Sequence, residues 1–255
     1  MKIISYNVNG IRSALNKGLL EWLRTENPDV LCLQELKAME EQVDWTALKE
    51  MGYHIYLNPA QKKGYSGVGI LSKMPADRVV CGMGIEQHDA EGRVIRADFA
   101  GLTVVSVYFP SGTSGAERQD VKYIFLADFR QWASTLVQER AAVLIAGDVN
   151  ICHPEMDIHN PVSNKNSTGF LPEERAWVDA FLNAGWVDSF RALNPDLQQY
   201  SWWSFRANAR ANNKGWRIDY QFATQALRPR LKAAGLLQEA THSDHCPTVV
   251  EISAF

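Results

Sequence analysis

Three apolar runs in this chain each stop on side chains that carry amide or carboxylate oxygens. Lys2 to Gly10 (KIISYNVNG) ends its apolar part at Asn7 and Asn9, Asp29 to Gln34 leads into Glu35, and Val143 to Asn150 finishes on Asp148 and Asn150. Such oxygens suit hard divalent cations, magnesium among them. Near the C-terminus, Ser243-Asp244-His245 sets an acid beside a base just before a further apolar run. Taken singly, each is equally ordinary turn chemistry, because Asn, Asp and Gly favour tight turns. Three strand ends that all carry oxygen donors point instead to a site.

For these ends to converge, the runs must be strands buried on both faces, whose tips emerge together at one rim of a sheet. The intervening segments supply the cover. Leu15, Leu19, Trp22 and Leu23 recur at helical spacing up to Asn27-Pro28, and a second, polar helix is expected from about Glu40 to Glu50. Strands are expected at Tyr53 to Leu57 and Val68 to Ser72, and a hairpin within Arg93 to Phe109 turns at Ala100-Gly101. From Glu117 to Arg140, Val121, Phe125, Phe129, Trp132 and Leu136 form a core-facing helical stripe. Asn150 to Gly169 is a long polar loop, either functional or disordered. After it, Pro172, Glu173 and Glu174 open a helix that Gly185 closes, with the two acids reading as helix-dipole partners. Strand, helix and strand in alternation, with hairpins among them, predict an α/β class: two mixed sheets packed face to face.

Two stretches have the chemistry of a nucleic-acid surface. Tyr200 to Tyr220 interleaves Tyr200, Trp202, Trp203, Phe205 and Trp216 with Arg206, Arg210, Lys214 and Arg217, offering rings for stacking and cations for phosphates. The loop Lys62-Lys63-Gly64-Tyr65-Ser66-Gly67 has two lysines and an aromatic, which suit a phosphate backbone or a plain solvated hairpin.

The 255 residues are 46% hydrophobic and 22% charged, as for a soluble globular chain, and we expect one domain over 1–255. A net charge of -3 excludes bulk electrostatic coating of nucleic acid, so phosphate contacts must come from a local patch. No apolar run reaches about 18 residues and no signal-peptide pattern opens the chain, so a cytoplasmic protein without membrane contact is expected. The four cysteines lack Cys-x-x-Cys spacing and read as reduced core residues, and Cys152-His153 lacks the partners for zinc.

With these residues assembled, the chain resembles the exonuclease III family of apurinic/apyrimidinic endonucleases, within the endonuclease/exonuclease/phosphatase superfamily. The resemblance runs from end to end through Asn7-Val-Asn-Gly10, Leu33-Gln-Glu-Leu-Lys37, Gly64-Tyr-Ser-Gly-Val68, Tyr108-Phe-Pro110, Gly147-Asp-Val-Asn150, Gly215-Trp-Arg-Ile-Asp-Tyr220 and Ser243-Asp-His-Cys-Pro247. It implies a four-layer α/β sandwich, two mixed β-sheets face to face with helices outside, and a metal-dependent phosphodiesterase site at one rim. Magnesium is the implied ion, with manganese as a substitute. Glu35 is the implied principal ligand, with Asn7 beside it and Asp148, Asn150 and Asp244 as further oxygen donors. Asp148 and Asn150 are implied to handle the attacking water, Asp219 to hold His245 against the scissile phosphate, and Tyr108 to contact the phosphate or leaving group.

The resemblance further implies duplex DNA with abasic sites or 3'-blocked ends as the partner of a monomer. Cleavage 5' to the abasic site, with 3'-phosphodiesterase and 3'-to-5' exonuclease action in base excision repair, is the implied activity. Trp202, Trp216 and Ile218 fall on positions of the pocket for the abasic sugar, and Lys62, Lys63, Tyr65, Arg93, Asn164, Lys165 and Arg210 are candidate DNA contacts. Asn9 stands where one branch of the family has an acid, and Ser111 where other members have an amide. No long extension precedes Met1, so the redox role of some larger relatives is not expected. A superfamily phosphatase acting on a lipid or inositol phosphate, and a DNA-binding module without catalysis, are the competing readings.

Overall fold

The computed structural model describes residues 1–253. Twelve strands among these form two six-stranded sheets. The first sheet orders β11 (Leu231–Leu236), β12 (Thr248–Ile252), β1 (Lys2–Asn7), β2 (Val30–Gln34), β4 (Val68–Ser72) and β3 (His54–Asn58). The second orders β5 (Arg78–Cys81), β6 (Val94–Phe99), β7 (Leu102–Tyr108), β8 (Val143–Asp148), β10 (Asp219–Thr224) and β9 (Trp186–Asp188). Each has one parallel pair at its centre, β1 with β2 and β7 with β8, flanked by antiparallel neighbours.

Burial on both faces explains the continuous apolar strands. Ile3, Val30, Cys32, Ile70, Val104, Leu144, Ala146 and Val250 meet in the layer between the sheets. The alternate residues Ile4, Tyr6, Leu31 and Leu33 face the other way, against α1 (Ile11–Asn16), α2 (Leu19–Glu26) and α3 (Thr46–Glu50). The outer face of the second sheet, with Val105, Val107, Ile145 and Phe222, is covered by Phe125 and Phe129 of the long helix near its middle and by Trp177 and Phe181. Those residues lie on α5 (Ala116–Glu139) and α7 (Pro172–Asn183), which follow the short α4 (Glu86–Asp89) and α6 (Pro161–Asn164); α8 (Ser189–Leu193) comes last. The four-layer α/β sandwich is therefore as expected.

Register decides where the site forms. Parallel pairing sets Asn7 opposite Gln34, and in the second sheet Tyr108 opposite Asp148. Antiparallel pairing sets Asp148 opposite Asp219, the first residue of β10. Residues 244–247 precede β12, which runs antiparallel to β1, so they reach the same rim. At Gly147 any Cβ would stand 1.9 Å from the Val107 carbonyl oxygen, so only glycine lets β8 lie this close to β7.

Several local expectations needed correction. The single helix foreseen before Asn27 is two, because Gly18 turns left-handed at φ 90° between them. The polar helix from Glu40 shrinks to a 3-10 turn, Glu40–Gln42, and α3, because the Asp44 carboxylate accepts the Thr46 amide at 2.9 Å and restarts the chain there. The loop after Asn150 contains a 3-10 turn, Glu155–Asp157, and α6. Cys81 is exposed, unlike the three buried cysteines.

Candidate active site

The tip of β2 supplies Glu35 in the left-handed conformation, φ 51°, and Asn9 and Asn150 share that conformation at φ 45° and 56°. Such strain in non-glycine residues clusters where surrounding structure fixes side chains for function. Buried Asn7 then ties the two sheets together: its Nδ2 donates to Glu35 Oε1 and to Asp148 Oδ2, both at 2.9 Å, and its Oδ1 accepts the Asn9 amide at 3.0 Å. Asn7 thus stands beside Glu35, as expected, and its amide nitrogen bridges the two carboxylates.

Glu35, Asp148 and His245 each bring one ligand atom into a group within 4.8 Å of one another. Two carboxylates at a strained rim fit a hard divalent ion, and the donor set is of the kind that holds one. Asp244 lies at the edge of this group. Its Oδ1 accepts from Asn9 Nδ2 at 2.9 Å and its Oδ2 from Trp202 Nε1 at 3.0 Å, so both oxygens are engaged. The carboxamide of Asn150 is likewise committed, donating to the Phe109 carbonyl at 3.0 Å and to Asp148 Oδ2 at 3.2 Å. Lys37, which sequence reasoning passed over, places its ammonium 2.7 Å from Glu35 Oε2.

His245 Nδ1 lies 2.8 Å from Asp219 Oδ2, and its Nε2 lies 3.8 Å from Asp148 Oδ2. Ser201, for which the sequence carried no signal, donates to the same Asp219 oxygen at 2.6 Å and accepts the amides of Ile218 and Asp219 at 3.0 and 3.1 Å. The pairing of Asp219 with His245, implied by resemblance alone, is therefore present. Burial disfavours the imidazolium, but Asp219 first, then Asp148 and Asp244, outweigh it and hold His245 up at about 10. Burial and the neighbouring Asp219 and Glu35 carboxylates push Asp148 up to about 8, against the pull of His245 and Asn7. Tyr108 is held well above its usual range by burial and by the adjacent Glu35 and Asp148 charges.

Beside these groups opens a cavity of about 430 Å³, lined by Trp202, Trp216 and Ile218 and by Ser167, Thr168 and Gly169. Trp202 and Trp216 meet edge to face, with ring centroids 6.0 Å apart at 89°, and their backbones exchange two hydrogen bonds of 2.9 Å. Gly169 is left-handed at φ 88°, and a Cβ there would reach 3.0 Å from the Trp216 ring. The Trp-rich stretch therefore divides: Trp202 and Trp216 face the cavity, whereas Trp203 is buried with Phe190 and Tyr200.

The candidate DNA contacts also divide. Lys62, Lys63 and Lys165 are exposed. Tyr65 is half-buried with its hydroxyl accepting from Arg93 and Arg118, each at 2.9 Å. Arg118, missed from sequence, lines with Lys37 and Tyr65 a second cavity that shares Glu35 and Tyr108 with the first. Arg93 is not a surface contact: at 1% exposure it bonds Glu91, the Tyr108 carbonyl and Tyr65, and lies 4.8 Å from the Tyr108 ring centre. Arg210 is not one either, because its guanidinium clamps the carbonyls of Gln238, Ala240 and Ser243 at 2.8, 2.6 and 3.1 Å. Asn164 spends its amide on the His159 and Asn160 carbonyls. His153 faces Asp179 and Cys152 donates to the Asp157 carbonyl, which leaves no zinc arrangement at that pair.

A rim site shared by two mixed sheets, with clustered acids and a histidine held by an aspartate, defines a class of phosphoester hydrolases. Residues 4–245 match the model of the Endonuclease/Exonuclease/phosphatase family, and the chain belongs to that family. Among its relatives, an exodeoxyribonuclease of Bacillus subtilis is 42% identical over 261 residues, covering 99% of this chain and 100% of that protein. The DNA repair nuclease APEX1 of Danio rerio is 41% identical over 250 residues, covering 97% of this chain and 80% of that one. Among solved structures, the Neisseria 3' phosphatase NExo bound to a product DNA hairpin superposes with a TM-score of 0.94 at 28% identity, and an AP endonuclease from Archaeoglobus fulgidus with 0.91 at 30%. Both cover 100% of each chain. The expectations of family, of fold and of a phosphodiester-hydrolysing nuclease agree with these findings.

Proposed function

We propose that this chain is a DNA repair nuclease that cuts duplex DNA 5' to abasic sites, with further action on blocked 3' ends, as a cytoplasmic monomer that uses magnesium or manganese. The observation that carries the reading is the adjacency of two features. An apolar recess of Trp202, Trp216 and Ile218 opens directly onto Asp148 and His245. A sugar that has lost its base can be flipped into such a recess at lower cost than a stacked, paired nucleotide, and its 5' phosphate then lies against the polar cluster.

Glu35 and Asp148 would hold the ion, with Asn7 keeping both carboxylates in place. When bound, such an ion would supply Lewis acidity toward the phosphate. Asp148, oriented by Asn7 and facing His245 Nε2, is placed to take a proton from the attacking water. Asn150 keeps Asp148 in orientation. His245, kept cationic by Asp219, donates to the phosphate and stabilises the charge that develops there. Tyr108, kept protonated, can donate to the phosphate or to the departing oxygen. Exposed Lys62, Lys63 and Lys165 supply backbone attraction.

The test uses an end-labelled duplex with one tetrahydrofuran abasic analogue, the matched duplex without it, and an inositol phosphate. Cleavage at the analogue that stops with chelator and returns with magnesium is expected. Preference for the inositol phosphate, or undiminished cleavage in excess chelator, refutes the proposal.

A further inference from the structure

One wall of the cavity rests on a buried ion pair that the chemistry above does not use. Lys122 of α5 and Glu174 of α7 are both fully buried, with Nζ and Oε1 2.5 Å apart. Glu174 sits in the first turn of α7, as expected from sequence, and is in addition a core ion. Isolating two charges from water costs more than burying apolar groups of the same size, so such a pair needs compensation from further hydrogen bonds. Those bonds go to the cavity. Lys122 Nζ donates to the Asn150 carbonyl at 2.8 Å. Glu174 Oε2 accepts the amides of Gly169 and Leu171 at 2.6 and 3.0 Å, and Gln119 joins Glu174 Oε1 to the Thr168 hydroxyl. The two segments held in this way also bond each other, Cys152 N–H to the Gly169 carbonyl at 2.7 Å.

We propose that Lys122 and Glu174 are positioning residues, which fix Asn150 behind Asp148 and set the separation of the Thr168–Gly169 wall from Trp216. The inference rests on the nuclease reading for its kinetic arm only. Lys122 touches neither the cavity nor its exposed rim, and acts through Asn150. A Cβ at Gly169 would reach 3.0 Å from the Trp216 ring, so a shift of this segment bears on a ring that lines the cavity. A displacement of about 1 Å at a reacting group can cost about a hundredfold in rate.

The variants are Lys122→Met and Glu174→Gln, assayed on the abasic duplex well below their own melting temperatures. In both, kcat is expected to fall by about tenfold to a hundredfold with KM within about threefold, because the cations that meet DNA are untouched. Amide exchange is expected to accelerate at Cys152 and Gly169 while β8 keeps wild-type protection. A lower melting temperature with unchanged kcat, or exchange raised uniformly across the chain, shows a purely structural pair and overturns the inference. Should Lys122→Met not fold, Glu174→Gln keeps shape and an acceptor for Gly169 and carries the same test. A wild-type chain inactive on the abasic duplex refutes the nuclease reading instead, and the exchange pattern then decides this inference alone.

Discussion

Replacing Asp219 by Asn tests the electrostatic core of the site with little change of shape. The Asp219 carboxylate is 3% exposed and lies 2.8 Å from His245 Nδ1. At an effective dielectric of about 20, a charge pair at this distance is worth about 6 kcal/mol. The elevation of His245 from 6.5 to about 10 corresponds to about 5 kcal/mol, the net of burial against Asp219, Asp148 and Asp244 together. Without the carboxylate, only Asp148 and Asp244 remain to oppose burial, so the His245 pKa moves down and less of the imidazolium is present at physiological pH. The proposed phosphate donor is then weakened, and the Ser201 hydroxyl loses its charged acceptor as well. A loss of one preorganised charge-stabilising donor lowers kcat by about 10²- to 10³-fold. The assay pairs NMR titration of His245 with kcat measured against pH on the abasic duplex. Asp219→Asn should bring the titration down and restore part of kcat as pH falls. An unmoved His245 titration, or kcat within threefold of wild type at pH 7.5, would refute the reasoning.

Gly147→Ala drives a Cβ against the Val107 carbonyl, and is expected to destabilise the fold by about 1–3 kcal/mol by overpacking, seen in denaturant unfolding; wild-type stability would show that β7 and β8 can separate freely. Arg210→Ala leaves three carbonyls without their donor and should cost about 1–3 kcal/mol, while the salt dependence of DNA binding stays as in wild type; a slope reduced by about one would return Arg210 to the phosphate contacts. In chelator, the stabilisation from His245 is fully present below its unfolded value of 6.5 and is lost as pH rises through about 10. The melting advantage of wild type over His245→Asn should accordingly shrink between pH 7 and 10, and a gap that widens over that range contradicts the assignment.

The strand ends were legible because burial on both faces leaves an unbroken apolar run, and the first polar residues after it must surface together. Asn7, Glu35, Asp148 and Asn150 were found in this way. The partnership of Asp219 with His245 has no such signature: 26 positions separate them, and antiparallel register at another strand is what brings Asp219 to the rim. Arginine is legible as a cation but not as a direction. Arg93 and Arg210 looked like phosphate contacts, yet their guanidinium groups point inward to carbonyls and a phenol, where multiple donors are worth more than one exposed charge. Glu174 caps the first turn of α7 as its place in the sequence suggests, but its second role was not legible, since its partner Lys122 lies on another helix and nothing local marks the pair. Gly18 could have signalled the break between α1 and α2, but the apolar spacing continues across it.

The two sheets are unequal in how the chain builds them. All strands of the second, β5 to β10, come from one continuous stretch, whereas the first is closed by β11 and β12 against β1, with the Met1 amine bonded to the Ile252 carbonyl at 2.8 Å. Asp244 and His245 arrive just ahead of that closing strand. A ribosome-bound chain that has made Asn7, Glu35, Asp148 and Asp219 therefore still lacks the cation of the site and the strand that seats it.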